Sequence, residues 1–229
     1  MKDWRLIYII FAKSEDKLYI SNKNRQAYFV LLSVCIIFVR INLKNCNVMF
    51  DKETYVQRRA LLKKNIGSGV LLFLGNDEQG LNYEDNAFRY RQDSTFLYYF
   101  GLSFAGLSAI IDIDEDKEII FGDELTIDHI VWMGTQPTLK EKSERVGIRE
   151  TLPSVAIISY LHKAVQKGQT VHYLPPYRPE HKLKLMDWLG IPPARQEGSV
   201  PFIRAVVAQR NYKSAEEIAR SEERRVGKE

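Results

Sequence analysis

Between residues 82 and 101 the chain carries seven aromatic side chains, Tyr83, Phe88, Tyr90, Phe96, Tyr98, Tyr99 and Phe100, interrupted by Arg91, Gln92, Asp93 and Ser94. No other stretch limits the fold as much. Phe88 and Tyr90 alternate with Arg89 and Arg91, which predicts a half-buried strand. Residues 96–100 form a denser apolar run closed by Gly101, which predicts a second, more fully buried strand. Asp93, Ser94 and Thr95 carry short polar side chains that hydrogen-bond their own backbone in turns. On pattern alone this is two packed strands whose Arg91 and Asp93 satisfy each other at a loop.

The whole chain has 229 residues, 45% of them hydrophobic and 27% charged, which suits one large or two small soluble domains. Its net charge of +4 is uneven: residues 1–48 carry +5 and residues 49–229 carry −1. A nucleic-acid-binding domain wants a basic face, and the neutral body offers none, so that class is set aside. Cys35 and Cys46 both precede residue 49. The body therefore has no disulfide framework, thiol nucleophile or Cys-based zinc site, which fits a reducing, cytoplasmic compartment.

Within the first 48 residues the apolar run 28–39 would span about 18 Å as a helix, against roughly 30 Å of membrane hydrocarbon. It is too short to cross, so no membrane partner is expected. Lys44 and Asn45 stand where a signal-peptide cleavage site needs small residues. The simplest reading is that folding starts at Met49, and that residues 1–48 lie outside the domain.

From there the pattern alternates. A helix is predicted over 51–65, with Tyr55, Ala60, Leu61 and Leu62 inward and Arg58, Arg59, Lys63 and Lys64 outward. Gly67 and Gly69 stop it, and 70–74 is an apolar run between glycines, hence a buried strand. Strands at 107–113 and 117–121 read as a hairpin around Asp114, Glu115 and Asp116. A short strand is expected at 130–134 and a charged helix at 137–146. The helix at 154–166 should bury Val155, Ile158, Leu161 and Val165. A strand at 170–174 and helices at 181–189 and 200–209 follow. The fold class is α/β: a mixed sheet with helices packed on its faces. Ser214 and Glu217 form a capping box that opens a further helix. Residues 220–229 are charge-dense and lack the apolar stripe of a docked helix.

Chemistry is sparse. Gly67 and Gly69 precede a strand, whereas a dinucleotide fingerprint follows one. Asp112, Asp114, Asp116 and Glu118 alternate, but between strands they read as a solvated turn rather than a calcium loop. His129, His162, His172 and His181 show no His-Glu-x-x-His spacing, and no Gly-x-Ser-x-Gly elbow occurs. No catalytic residue and no metal ligand is assigned.

Tyr90, Arg91, Gln92, Asp93, Ser94 and Phe96, followed by Tyr98 and Gly101, resemble a sequence block of the N-terminal domain of aminopeptidase P (Xaa-Pro aminopeptidase). Tyr55, Arg58, Arg59 and Leu62 before it, and residues 72–76 leading in, agree with the same family. The resemblance covers roughly residues 49–219. It implies a creatinase-type N-terminal domain over 49–212, with 213–229 entering the first helix of a catalytic half. That half would hold two manganese ions through two Asp, one His and two Glu, and cleave the bond before a proline. This chain would then be inactive alone, supporting subunit contacts in a homo-oligomer and limiting access of proline-containing peptides to the active site. Arg91, Gln92, Asp93, Leu97 and Tyr98 are the candidate access lip; the other reading is that Arg91 and Asp93 merely pin a loop. Prolidase (Xaa-Pro dipeptidase) shares the block, and a stand-alone binding or dimerisation module is the reading from another class. An apolar patch is expected near residues 200–212.

Overall fold

The computed structural model describes residues 50–83, 86–127, 131, 134 and 136–219. Residues 1–48 and 220–229, and His129, lie outside them, as does most of the strand expected at 130–134; Val131 is helical and exposed.

Helix α1 (Lys52–Ile66) leads into strand β1 (Val70–Leu74) and the short helix α2 (Ser94–Phe100). The hairpin β2 (Ser108–Asp112) and β3 (Lys117–Phe121) is followed by α3 (Leu139–Glu144) and β4 (Glu150–Leu152). Next come α4 (Ala156–Gln166), β5 (Val171–Tyr173), α5 (Pro179–Leu189), a 3-10 turn (Pro193–Arg195) and α6 (Val200–Arg210). The five strands form one mixed sheet in the order β4-β3-β2-β1-β5. The two outer pairs, β1 with β5 and β3 with β4, are parallel, and the central pairs are antiparallel.

Both faces of the sheet are covered, which is why β1 is apolar at every position. Leu71 and Phe73 point to one face, where they meet Tyr55 and Leu62 of α1, Phe96 and Phe100 of α2, and Phe202 of α6. Val70 and Leu72 point to the other, against Ile157 and Leu161 of α4 and Leu185 of α5. Phe73 is the hub of the first layer, its ring 5.1 Å from Phe100 and 5.3 Å from Phe202, both edge-on. The mixed sheet flanked by helices is the architecture the sequence implies.

Four expectations are corrected. Residues 96–100 are helical rather than extended. Asp93 accepts hydrogen bonds from the backbone N–H of Thr95 (2.8 Å) and Phe96 (2.9 Å), satisfying two amides that a helix start leaves open. The polar turn chemistry is therefore a helix N-cap, and Phe96, Tyr99 and Phe100 fall on one buried face. Gly101 ends α2 at φ +64°, where an added Cβ would lie 2.4 Å from Cζ of Tyr55. Nor is there a strand at Phe88–Tyr90: Ala87 makes one isolated bridge with Gly80, and Phe88 and Arg89 are exposed.

In α1 the buried stripe is Tyr55, Arg58, Arg59 and Leu62, the i, i+3, i+4, i+7 face. Both arginines were expected outside, and Ala60 and Leu61 within; the reverse holds. In α4 the buried residues are Ile157, Leu161 and Ala164, while Val155 and Val165 are exposed. Of the expected face only Leu161 is fully buried; Ser154 lies before the helix, its Oγ donating to Asp123 at 2.6 Å.

Candidate functional site

The aromatic stretch that dominates the sequence is held by a polar bracket at the end of β1. Gln92 is 1% exposed. Its Oε1 accepts the N–H of Asn76 (2.7 Å) and of Asp93 (2.9 Å), and its Nε2 donates to the Phe104 carbonyl (2.9 Å). Asn76 Nδ2 donates to the Arg91 carbonyl at 2.8 Å, and Tyr90 Oη donates to the Phe104 carbonyl, also at 2.8 Å. Burial pushes the Tyr90 phenol pKa up, keeping it a neutral donor. Three loops are thus stitched through one amide side chain.

Of the five candidate lip residues, Gln92 is interior bracing and Asp93 is the cap of α2, also accepting from Tyr177 Oη at 3.2 Å. Asp93 thus spends its carboxylate on backbone amides and a phenol. The loop-pinning is done by Gln92 and Asp93. Arg91 contributes only its carbonyl to the bracket and is exposed, and Leu97 is half-buried. Tyr98 donates its hydroxyl to the Gln209 carbonyl (3.3 Å) and lies under the Arg58 guanidinium, 4.0 Å from ring centre to Cζ. Arg91 is the exposed member of the set, and Asp93, Leu97 and Tyr98 are half-buried.

A second group escaped the sequence reading. Arg59 is fully buried and donates to Glu118 Oε2 (2.7 Å) and to the carbonyls of Tyr99 and Val146, each at 2.9 Å. Burial pushes its pKa below the ordinary value, and Glu118 pulls it back. Arg58 donates to the Tyr98 carbonyl and to Glu217, both at 2.9 Å. Gln209 closes the group, donating to the Arg58 carbonyl (2.8 Å) and accepting from Tyr99 Oη (3.0 Å). The signal was present: Arg58 and Arg59 fill a helical stripe between Tyr55 and Leu62.

The carboxyl ends of the parallel pair β1 and β5 open into a crevice of about 260 Å³, lined by Leu74, Asp93, Pro175, Pro176, Val207 and Arg210 among others. The chain after β1 leads to α2 on one face of the sheet and the chain after β5 to α5 on the other, the switch point at which open α/β sheets commonly place clefts. His181 lines it but is already committed, donating Nε2–H to the Gly75 carbonyl at 3.0 Å. Burial lowers its pKa, so it sits there neutral.

The remaining chemical candidates are structural. Asp112 accepts from the Glu115 N–H, Gln169 Nε2 and Tyr160 Oη; Asp114 accepts from the Gly69 N–H and Gln169. Asp116 and Glu118 pair with Lys63. These carboxylates are met by donors, which is a turn and not a calcium loop. His172 Nδ1 lies 2.7 Å from Ser199 Oγ, and His162 is exposed. Among the described residues no three His, Cys, Asp or Glu side chains converge where a metal ion could bind, and no helix is long and apolar enough to cross a membrane. Val200, Val207 and Tyr212 are exposed, so apolar side chains do surface in the 200–212 region.

Residues 55–173, just over half of the chain, match the family model for the aminopeptidase P N-terminal domain. The chain belongs to that family. The matched span runs from the buried tyrosine of α1 to the last residue of β5, so it takes in all five strands. Among its relatives, a probable Xaa-Pro aminopeptidase of Chaetomium globosum is 30% identical over 112 residues, covering 47% of this chain and 18% of that protein. The human Xaa-Pro dipeptidase is 33% identical over 90 residues, covering 38% and 18%. Against these curated relatives the alignment thus spans under a fifth of their length. Among solved structures, an aminopeptidase of Pseudomonas aeruginosa superposes with a TM-score of 0.62 at 22% identity, over 75% of this chain and 41% of that one. A variant of Escherichia coli aminopeptidase P gives 0.60 at 20% identity, over 74% and 41%. At this identity the superpositions speak for the aminopeptidase P N-terminal fold.

Proposed function

We propose that this chain works as the non-catalytic N-terminal domain of a metal-dependent Xaa-Pro aminopeptidase, which removes an N-terminal residue preceding proline. The observation that carries the reading is the family match across the entire sheet. Among the described residues no three His, Cys, Asp or Glu side chains cluster as a metal centre needs. In this reading the two manganese ions, and the water they activate, belong to a catalytic half outside this domain, and the chain by itself is inactive. The domain's task is to support contacts between subunits of a homo-oligomer and to shape access to the cleft. Arg91, exposed beside the braced Gln92, and Leu97 are the residues of the lip that reach a peptide. The cysteine placement favours the cytoplasm. A dipeptidase parent is the second reading, favoured by the 33% identity to the human Xaa-Pro dipeptidase.

The test is release of the N-terminal residue from an Xaa-Pro-Xaa tripeptide and from an Xaa-Pro dipeptide, with manganese. The purified chain should turn over neither. Fused ahead of a relative's catalytic half it should restore tripeptide cleavage, and Arg91→Ala should alter KM for longer peptides more than kcat. Turnover by the chain alone overturns the proposal; restored cleavage of the dipeptide only moves it to the prolidase reading.

A further inference from the structure

We infer that Arg58 is a clasp that sets the direction in which the chain leaves the domain and couples that direction to helix α2. Residues 215–219 are helical after α6, and one described turn and a fraction has no stability of its own in water. Burial does not supply it: residues 211–214 are exposed, and so is Ile218. Its setting depends on a few polar bonds.

Those bonds are specific. Ser214 and Glu217 make the reciprocal cap, Glu217 N–H donating to Ser214 Oγ (3.2 Å) and Ser214 N–H to Glu217 Oε2 (2.8 Å). The other carboxylate oxygen of Glu217 accepts from Arg58 at 2.9 Å. Thr54 Oγ1 donates to Glu216 at 3.2 Å, on the exposed side. The cap shapes the helix but leaves its orientation open; among the described residues, Arg58 and Thr54 bond it to α1. Of these, the ion pair is the sheltered one, with side chains 8% and 19% exposed, so salt screens it little.

Arg58 itself cannot swing. Its guanidinium stacks on Tyr98 at 4.0 Å and on Phe50 at 4.7 Å, and its second arm holds the Tyr98 carbonyl in α2. One planar group therefore grips α2 with one arm and the departing helix with the other. Whatever follows residue 219 is delivered at an angle referred to α2, the helix that carries Leu97. This deepens the peptidase reading, because it gives the lip and the next body a shared reference. It stands without that reading, since its test uses amide exchange and not turnover.

The experiment is hydrogen exchange by NMR on the full chain, reading the Ile218 amide, which donates to the Ser214 carbonyl at 3.0 Å. Glu217→Gln keeps the capping box, because Gln serves at that position, and removes only the charge held by Arg58. It should speed Ile218 exchange on the order of tenfold, as expected for a lost charged hydrogen bond, while amides of β1 stay protected. In an Arg58→Met background the same substitution should have no further effect. If Arg58→Met does not fold, Arg58→Lys takes its place, since an ammonium cannot grip both partners in the same plane. An unchanged Ile218 rate in Glu217→Gln overturns the clasp. So does an effect of equal size with and without Arg58, which would mean Glu217 acts through the cap alone.

Discussion

Replacing Arg59 by Met is the most informative perturbation of the core. The side chain is fully buried and its three hydrogen bonds join four elements: α1, Glu118 on β3, the Tyr99 carbonyl at the end of α2 and the Val146 carbonyl after α3. Met fills the stem's space but takes from Glu118 the buried one of its two cations, leaving it Lys63 at 3.1 Å, and strips two carbonyls of their donors. Breaking a buried pair by removing one partner costs about 3–5 kcal/mol. At about 2–4 °C per kcal/mol for a domain of this size, Tm should fall by about 6–20 °C. Arg59→Lys keeps the charge on Glu118 but cannot reach all three acceptors, so its loss should be smaller. Adding Glu118→Leu to Arg59→Met should recover part of the stability and not all, because the two carbonyls stay unpaired. Urea unfolding followed by circular dichroism and tryptophan fluorescence measures each value. A loss below about 1 kcal/mol for Arg59→Met would refute the claim that this arginine ties the layers together.

Asp93→Ala should cost about 1–2 kcal/mol through loss of the α2 cap, and Asp93→Asn a few tenths, measured by the same unfolding curves. Gly101→Ala combines a left-handed residue with a Cβ placed 2.4 Å from Tyr55 Cζ; about 2–4 kcal/mol is expected, and a protein too unstable to purify would also fit. His181 is buried neutral, its folded pKa lowered from 6.5 by burial and by the Lys184 charge, against the upward pull of the Gly75 carbonyl, Asp93 and Asp77. Its contribution is therefore fully present above pH 6.5 and is lost as pH falls through the folded value, because the unfolded chain binds the proton first. His172 shifts in the same direction, so stability should fall on acidification below pH 6.5, and His181→Gln should flatten that slope.

Much of the architecture could be read directly. The apolar run bounded by glycines is β1, the Asp-rich turn joins β2 to β3, and Gly190 ends α5 in the left-handed conformation a C-cap requires. The Ser214–Glu217 cap is present as expected. The failures have physical causes. A five-residue aromatic run closed by glycine has no period long enough to tell strand from helix, and the deciding group is the Asp93 carboxylate upstream. Arg58 and Arg59 were placed outside on charge, yet carbonyls at helix ends and two carboxylates made a buried site for them. Those partners lie 40 or more residues away in the chain, which no local pattern reports. Within residues 91–98 the sequence pattern could not tell the buried, bracing Gln92 from the exposed Arg91.

The central claim is that this domain supports an Xaa-Pro peptidase without holding its metals. Calorimetric titration of manganese into the purified 229-residue chain tests it most directly. The account predicts no saturable binding up to millimolar metal. One or two ions bound per chain with micromolar Kd would contradict it, and would place a metal centre within the sequence.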